Sequence, residues 1–84
     1  MTNKISAKVR NMENVTKAIE NWYASGKSYG PSYRDLVQLS GLPIGTVHKT
    51  CAFLRNENII TFDDKIARSI QLVWAKFNET WNTN

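Results

Sequence analysis

The sequence predicts a mainly α-helical domain closed by a small β-hairpin. Three observations carry that expectation. Apolar residues recur at spacings of three and four through successive segments of the first two thirds of the chain. Glycine, proline and asparagine fall between those segments, where helices stop and chains turn. The β-branched and aromatic run Ile59-Ile60-Thr61-Phe62 is then followed by a turn and a second apolar run. The chain has 84 residues, the size of one small domain. Of these, 42% are hydrophobic, which favours a folded core over disorder.

Residues 1–10 are polar and irregular and are expected to form a flexible N-terminus. From about Val9 to Ser25, the residues Val9, Met12, Val15, Ala18, Ile19, Trp22 and Tyr23 trace one face of a helix, and Gly26 stops it. Trp22 and Tyr23, together with Phe62, are expected in the core. Lys27 to Pro31 is a loop, because Gly30-Pro31 cannot continue a helix. Ser32 then offers an N-cap, with Asp35 three residues on as the acidic partner of a capping box. Leu36, Val37 and Leu39 are the apolar residues of this short helix, and Gly41 ends it.

Leu42 and Pro43 make the next turn, with Pro43 suited to the first position of a third helix. That helix is expected from about Pro43 or Ile44 to Glu57. Stepping about 100° per residue, Val47, Cys51 and Leu54 share one side, and Gly45, Thr46, His48, Lys49 and Ala52 cover the other. Asn58 follows where a left-handed residue is expected. Asp63-Asp64-Lys65 reads as a turn, and Ile66 to Val73 as the return strand. Residues 11–73 thus form the domain. In the tail, 74–84, Trp74, Phe77 and Trp81 stand at helical spacing, as an extra C-terminal helix would place them.

A short second helix, a turn containing glycine and a third helix with a polar outer face make a helix-turn-helix, and the hairpin behind it is a wing. The stretch Tyr29-Gly30-Pro31-Ser32-Tyr33-Arg34-Asp35-Leu36 resembles the loop and second-helix start of the LexA repressor DNA-binding domain. Ala67-Arg68-Ser69-Ile70-Gln71-Leu72-Val73 is similar to that family's second wing strand. Ser40-Gly41-Leu42-Pro43-Ile44-Gly45-Thr46-Val47-His48-Lys49 also resembles the helix-turn-helix of IclR-type regulators. Leu54 to Ile60 follows the general winged-helix pattern, with Asn58 in place of its usual glycine. The resemblance covers about Val15 to Val73 and implies a winged helix-turn-helix that binds DNA. Nothing in these residues matches the self-cleaving domain of those repressors.

The placement of polar groups agrees with that implication. The net charge is +4, which favours a polyanionic partner. A major groove about 12 Å wide admits one helix. On the third helix, Gly45 permits close approach, and the Thr46 methyl suits a thymine methyl. His48 and Lys49 suit bases or phosphates, Lys49 as a donor to guanine O6 or N7. Ser32, Tyr33 and Arg34 stand at the start of the second helix, where backbone phosphates are held. Lys27 lies in the loop before it, and Lys65 and Arg68 on the wing. Asp63 and Asp64 at the wing tip oppose phosphate contact.

Cys51 is expected as a small core residue, with redox sensing as its alternative. One cysteine and one histidine supply no disulfide and no metal site, and no cofactor or small-molecule effector is expected. No paired acid and base or phosphate-binding loop points to an enzyme. No apolar run is long enough for a membrane span, and the first residues lack the apolar stretch of a secretory signal, so a cytoplasmic, nucleoid-associated location is expected. The expected function is sequence-specific binding of double-stranded DNA by a repressor-like transcriptional regulator of prokaryotic or phage type. The alternatives are a winged-helix protein-interaction module and an accessory DNA-binding protein of replication, partition or recombination. A homodimer is expected, with Trp74, Phe77 and Trp81 as its contact. Folding of that stripe back onto the first helix is the other reading.

Overall fold

Three helices and a two-stranded antiparallel sheet follow one another along the chain in the computed structural model, which describes residues 6–73. Helix α1 spans Ala7–Ala24, α2 Tyr33–Ser40 and α3 Ile44–Asn56; strand β1 is Ile60–Thr61 and β2 Gln71–Leu72. Each helix packs on the other two. Ile60 pairs with Leu72 and Thr61 with Gln71. No helix among the described residues is long and apolar enough to cross a membrane.

Helix α1 starts earlier than its apolar periodicity indicates. Ser6 caps it by accepting the Val9 N–H at 3.2 Å, so residues 7–10 are helical rather than frayed. Met12, Val15, Ala18 and Ile19 are buried as the pattern requires, whereas Val9 is largely exposed. Thr16 is buried among them, and its hydroxyl donates to the Met12 carbonyl at 2.7 Å, which satisfies the group locally. Trp22 is a correction: it is half-buried and lies outside the core, because its indole N–H reaches the Tyr29 carbonyl at 2.6 Å. Tyr23 and Phe62 pack against the core without being enclosed by it.

The capping box of α2 forms in full. The Ser32 hydroxyl accepts the Asp35 N–H at 3.1 Å, and the Asp35 carboxylate accepts the Ser32 N–H at 2.9 Å. Gly41 ends the helix at φ 76°, the left-handed conformation that glycine adopts without a Cβ penalty. Pro43 occupies the N-cap of α3 and not its first helical position. Its carbonyl accepts the Val47 N–H at 3.0 Å. Val47, Thr50, Cys51 and Leu54 form the buried side of α3. Asn58 then takes the left-handed conformation at φ 61° and turns the chain into the sheet.

The hairpin differs from its expected form. The return strand does not begin at Ile66: β2 starts at Gln71, and residues 62–70 form a folded loop. The cause is local hydrogen bonding that competes with a ladder. The Asp63 carboxylate accepts the Lys65 N–H at 2.9 Å, and the Ser69 hydroxyl bridges the Asp63 N–H and carbonyl at 2.9 and 3.0 Å. Arg68 adds a left-handed residue at φ 57°, which an extended strand cannot contain. Ile66, expected within the strand, is 59% exposed.

The end of this loop presses against the backbone before α2. A Cβ on Gly30 would lie 2.6 Å from the Ile70 carbonyl oxygen and 2.7 Å from that of Arg68. The Gly30 N–H donates to the Arg68 carbonyl at 3.1 Å, and the Tyr23 hydroxyl donates to the Ile70 carbonyl at 2.6 Å. Gly30→Ala is therefore expected to force these backbones apart and cost about 2 kcal/mol or more. That corresponds to a fall in Tm of about 10 °C for a domain of this size, readable by thermal denaturation. A change of less than about 2 °C would show that the segment is free to move.

Candidate nucleic-acid interface

Helix α3 divides lengthwise into a buried and an exposed side. Gly45, His48, Lys49, Ala52 and Asn56 are exposed away from the buried residues, and Ile44 is exposed in the first turn, at the edge of the buried side. A Cβ built on Gly45 would meet no atom within 4 Å, so the helix surface is open at that point. Thr46 is half-buried on one flank. His48 is exposed, yet its ring centroid lies 3.9 Å from that of Tyr33, with the planes tilted by 32°. Tyr33, the first residue of α2, meets Phe62 edge-on at 6.4 Å on the way to the hairpin. Arg55 covers Phe62 at 4.2 Å and pairs with Asp64 at 3.6 Å. A run of ring and cation contacts thus joins α3, α2 and the hairpin loop. Burial pushes the Tyr33 phenol above its ordinary pKa, so it remains a neutral hydroxyl.

The start of α2 gathers a second group. Arg34 is exposed there and lies outside both ion pairs of the described residues. The Ser32 hydroxyl accepts the Asp35 N–H, and its own O–H faces the Asp35 carboxylate. Arg68, although exposed, is tied to this group: one guanidinium nitrogen lies 2.9 Å from the Asp35 carboxylate and 3.4 Å from the Gly30 carbonyl. The same guanidinium lies 5.2 Å from the Tyr29 ring and 5.8 Å from that of Trp22. Lys27 stands 5.1 Å over the Trp22 ring.

Of the residues expected at the interface, Lys27, Ser32, Tyr33, Arg34 and Arg68 cluster about the loop before α2 and its first turn. Gly45, His48 and Lys49 lie on α3, and the His48–Tyr33 contact joins the two groups. Lys65 is exposed in the hairpin loop beside Asp63 and Asp64. Trp74, Phe77 and Trp81 lie outside the described residues. Sequence reasoning missed the Asp35–Arg68 pair, because 33 residues separate the partners. It also passed over Ile44, which is 47% exposed in the first turn of α3.

Cys51 is fully buried, and burial pushes its thiol up to about 12. It stays protonated at neutral pH, which removes the thiolate that redox chemistry needs. Among the described residues, no three His, Cys, Asp or Glu side chains gather to hold a metal ion.

Asp35 is held below the usual carboxylate range, first by the Ser32 N–H, then by the Ser32 hydroxyl and by Arg68, against the opposing effect of burial. A carboxylate with a depressed folded-state pKa contributes stability above its unfolded value, and that contribution is lost as pH falls through the folded value. Asp35→Asn is therefore expected to destabilise the domain at neutral pH. The difference from wild type closes below about pH 4. Urea unfolding across pH checks this, and a pH-independent difference would remove the charge from the account. No protein family, curated protein or solved structure matches this chain.

Proposed function

We propose that the protein is a winged helix-turn-helix that binds double-stranded DNA with sequence preference and regulates transcription by occupying its site. The observation that carries this reading is the outer side of α3. It is exposed, small at Gly45 and Ala52, and basic at Lys49, and it is backed by the buried Val47, Thr50, Cys51 and Leu54. A helix so divided fits a major groove while its other side remains anchored. Arg34 and the Ser32 hydroxyl at the start of α2 suit the phosphate backbone, with Lys27 in the adjoining loop. In this reading the hairpin loop is the wing. Arg68 supports the phosphate-facing end by neutralising Asp35, and Lys65 is the cation that remains directed outward. Two subunits on paired half-sites would supply the discrimination that one domain lacks, with Trp74, Phe77 and Trp81 as the proposed contact.

Binding to duplex DNA is expected to weaken with salt. Neutralisation of about six phosphates gives a slope of log K against log salt near −5. In fluorescence titrations, Lys49→Ala is expected to cost about 1–3 kcal/mol on the preferred site and to relax preference at one base pair. Arg34→Ala weakens all duplexes alike and reduces the slope by about 1. No binding to any genomic fragment at about 50 mM salt overturns the proposal.

Gly45→Ala separates folding from binding. The added methyl meets nothing in the protein and raises helix propensity, so stability rises by up to about 1 kcal/mol. Affinity for duplex DNA falls, because the methyl occupies space at the groove-facing surface. An unchanged affinity would place DNA elsewhere on the molecule.

A further inference from the structure

The first turn of α3 presents an apolar side chain where the fold has no use for one. Ile44 is 47% exposed and belongs neither to the core nor to the side chains packed against it. Val47 already fills the buried side at this level of the helix. Stepping about 100° per residue, Ile44, His48, Ala52, Gly45 and Lys49 occupy a continuous arc of about 140°, and all five are exposed. Thr46 falls about 60° beyond that arc and is half-buried. Ile44 and Lys49 therefore bound the exposed arc at its two ends, Ile44 on the side next to Cys51, and Thr46 lies half-buried beyond Lys49.

The chemistry of this turn narrows what it can recognise. Ile44, Gly45, Thr46 and Val47 carry no charge, so the turn offers no ammonium, guanidinium or carboxylate to a base edge. Gly45 leaves open space beside Ile44, and nothing within the protein fills it. His48, one turn further along the same arc, is braced against Tyr33, which limits its reach across to Ile44. In the major groove the one apolar feature among the four natural bases is the 5-methyl group of thymine. Contact between that methyl and the Ile44 side chain removes apolar surface of both from water.

We infer that Ile44 reads a thymine 5-methyl group, and that the site preferred by this protein carries a thymine opposite the first turn of α3. The inference rests on the DNA-binding reading above and assigns to Ile44 the methyl contact that the sequence pattern suggests for Thr46. Lys49, one turn on, reads a neighbouring base by hydrogen bonding, so the two residues distinguish bases by different chemistry.

Deoxyuridine tests the assignment, because it differs from thymidine by that methyl alone. Duplexes recovered by the full chain from a random library are resynthesised with each thymine replaced singly by deoxyuridine. Loss of one methyl contact is expected to weaken binding about fourfold at one thymine per bound domain. Ile44→Ser, a surface change, is expected to bind the two forms equally, with its fold checked by circular dichroism. Equal binding of thymine and deoxyuridine duplexes by the unaltered protein, with salt-dependent affinity intact, overturns the inference and leaves DNA binding standing. Discrimination that persists in Ile44→Ser assigns the methyl to another residue and also overturns it. Recovery of no duplex at all overturns the DNA-binding reading, and the inference falls with it.

Discussion

The contact between the Gly30 backbone and the segment from Arg68 to Ile70 is the constraint on which the arrangement of the other parts depends. Two backbones meet there without a side chain between them, and they exchange a hydrogen bond from Gly30 to the Arg68 carbonyl. The approach places the Arg68 guanidinium against Asp35, which is itself fixed by the cap of α2. The loop after α1, the first turn of α2 and the second half of the hairpin are thereby held in one place. Tyr23 adds a bond from α1 to Ile70 and closes the set. These polar links surround an apolar core of modest size, in which Leu36 is the one fully buried side chain of α2. With so little apolar anchorage, the placement of α2 relies on its polar start.

That start also has an electrostatic consequence. A capping carboxylate stabilises a helix N-terminus, but it also repels any anion brought to that end. Arg68 offsets the charge at 2.9 Å. The hairpin loop thus sets the charge at the start of α2 through Asp35. The tip itself carries Asp63 and Asp64, with Asp64 partly offset by Arg55. A parallel link runs from His48 through Tyr33 to Phe62, so the outer side of α3 and the hairpin share an intermediate on α2.

Features encoded within a few residues of one another were legible in the sequence. The Ser32–Asp35 box, the stop at Gly41, the left-handed Asn58 and the buried side of α3 all follow from local geometry and helical period. The exposed side of α3 followed as the complement of the buried one. What escaped detection depends on partners far along the chain. Arg68 reads as a surface cation until Asp35 and Gly30 are brought beside it, and Trp22 reads as core until its N–H finds Tyr29. The hairpin was overextended because alternation at Ile70 and Leu72 was carried back to Ile66, across residues whose side chains bond to their own loop. Ile44 was passed over because an isoleucine beside a turn resembles a core residue until its surroundings are known.

The tie between Gly30, Asp35, Tyr23 and the end of the hairpin joins residues 33 to 47 positions apart. The α1–α2 and α2–α3 packing involves consecutive elements and closes shorter loops. Chain closure over longer separations carries the larger entropy cost, so the helices are expected to assemble ahead of the hairpin and the hairpin to open first. Amide protons of residues 59–61 and 70–73 would then exchange through a partial opening that leaves the three helices assembled, ahead of those buried in the middle of α1 and α3. Such an opening releases Arg68 from Asp35 and uncovers a carboxylate at the start of α2. A local fluctuation of the hairpin would thereby become a change in the charge that the helical part presents to its surroundings.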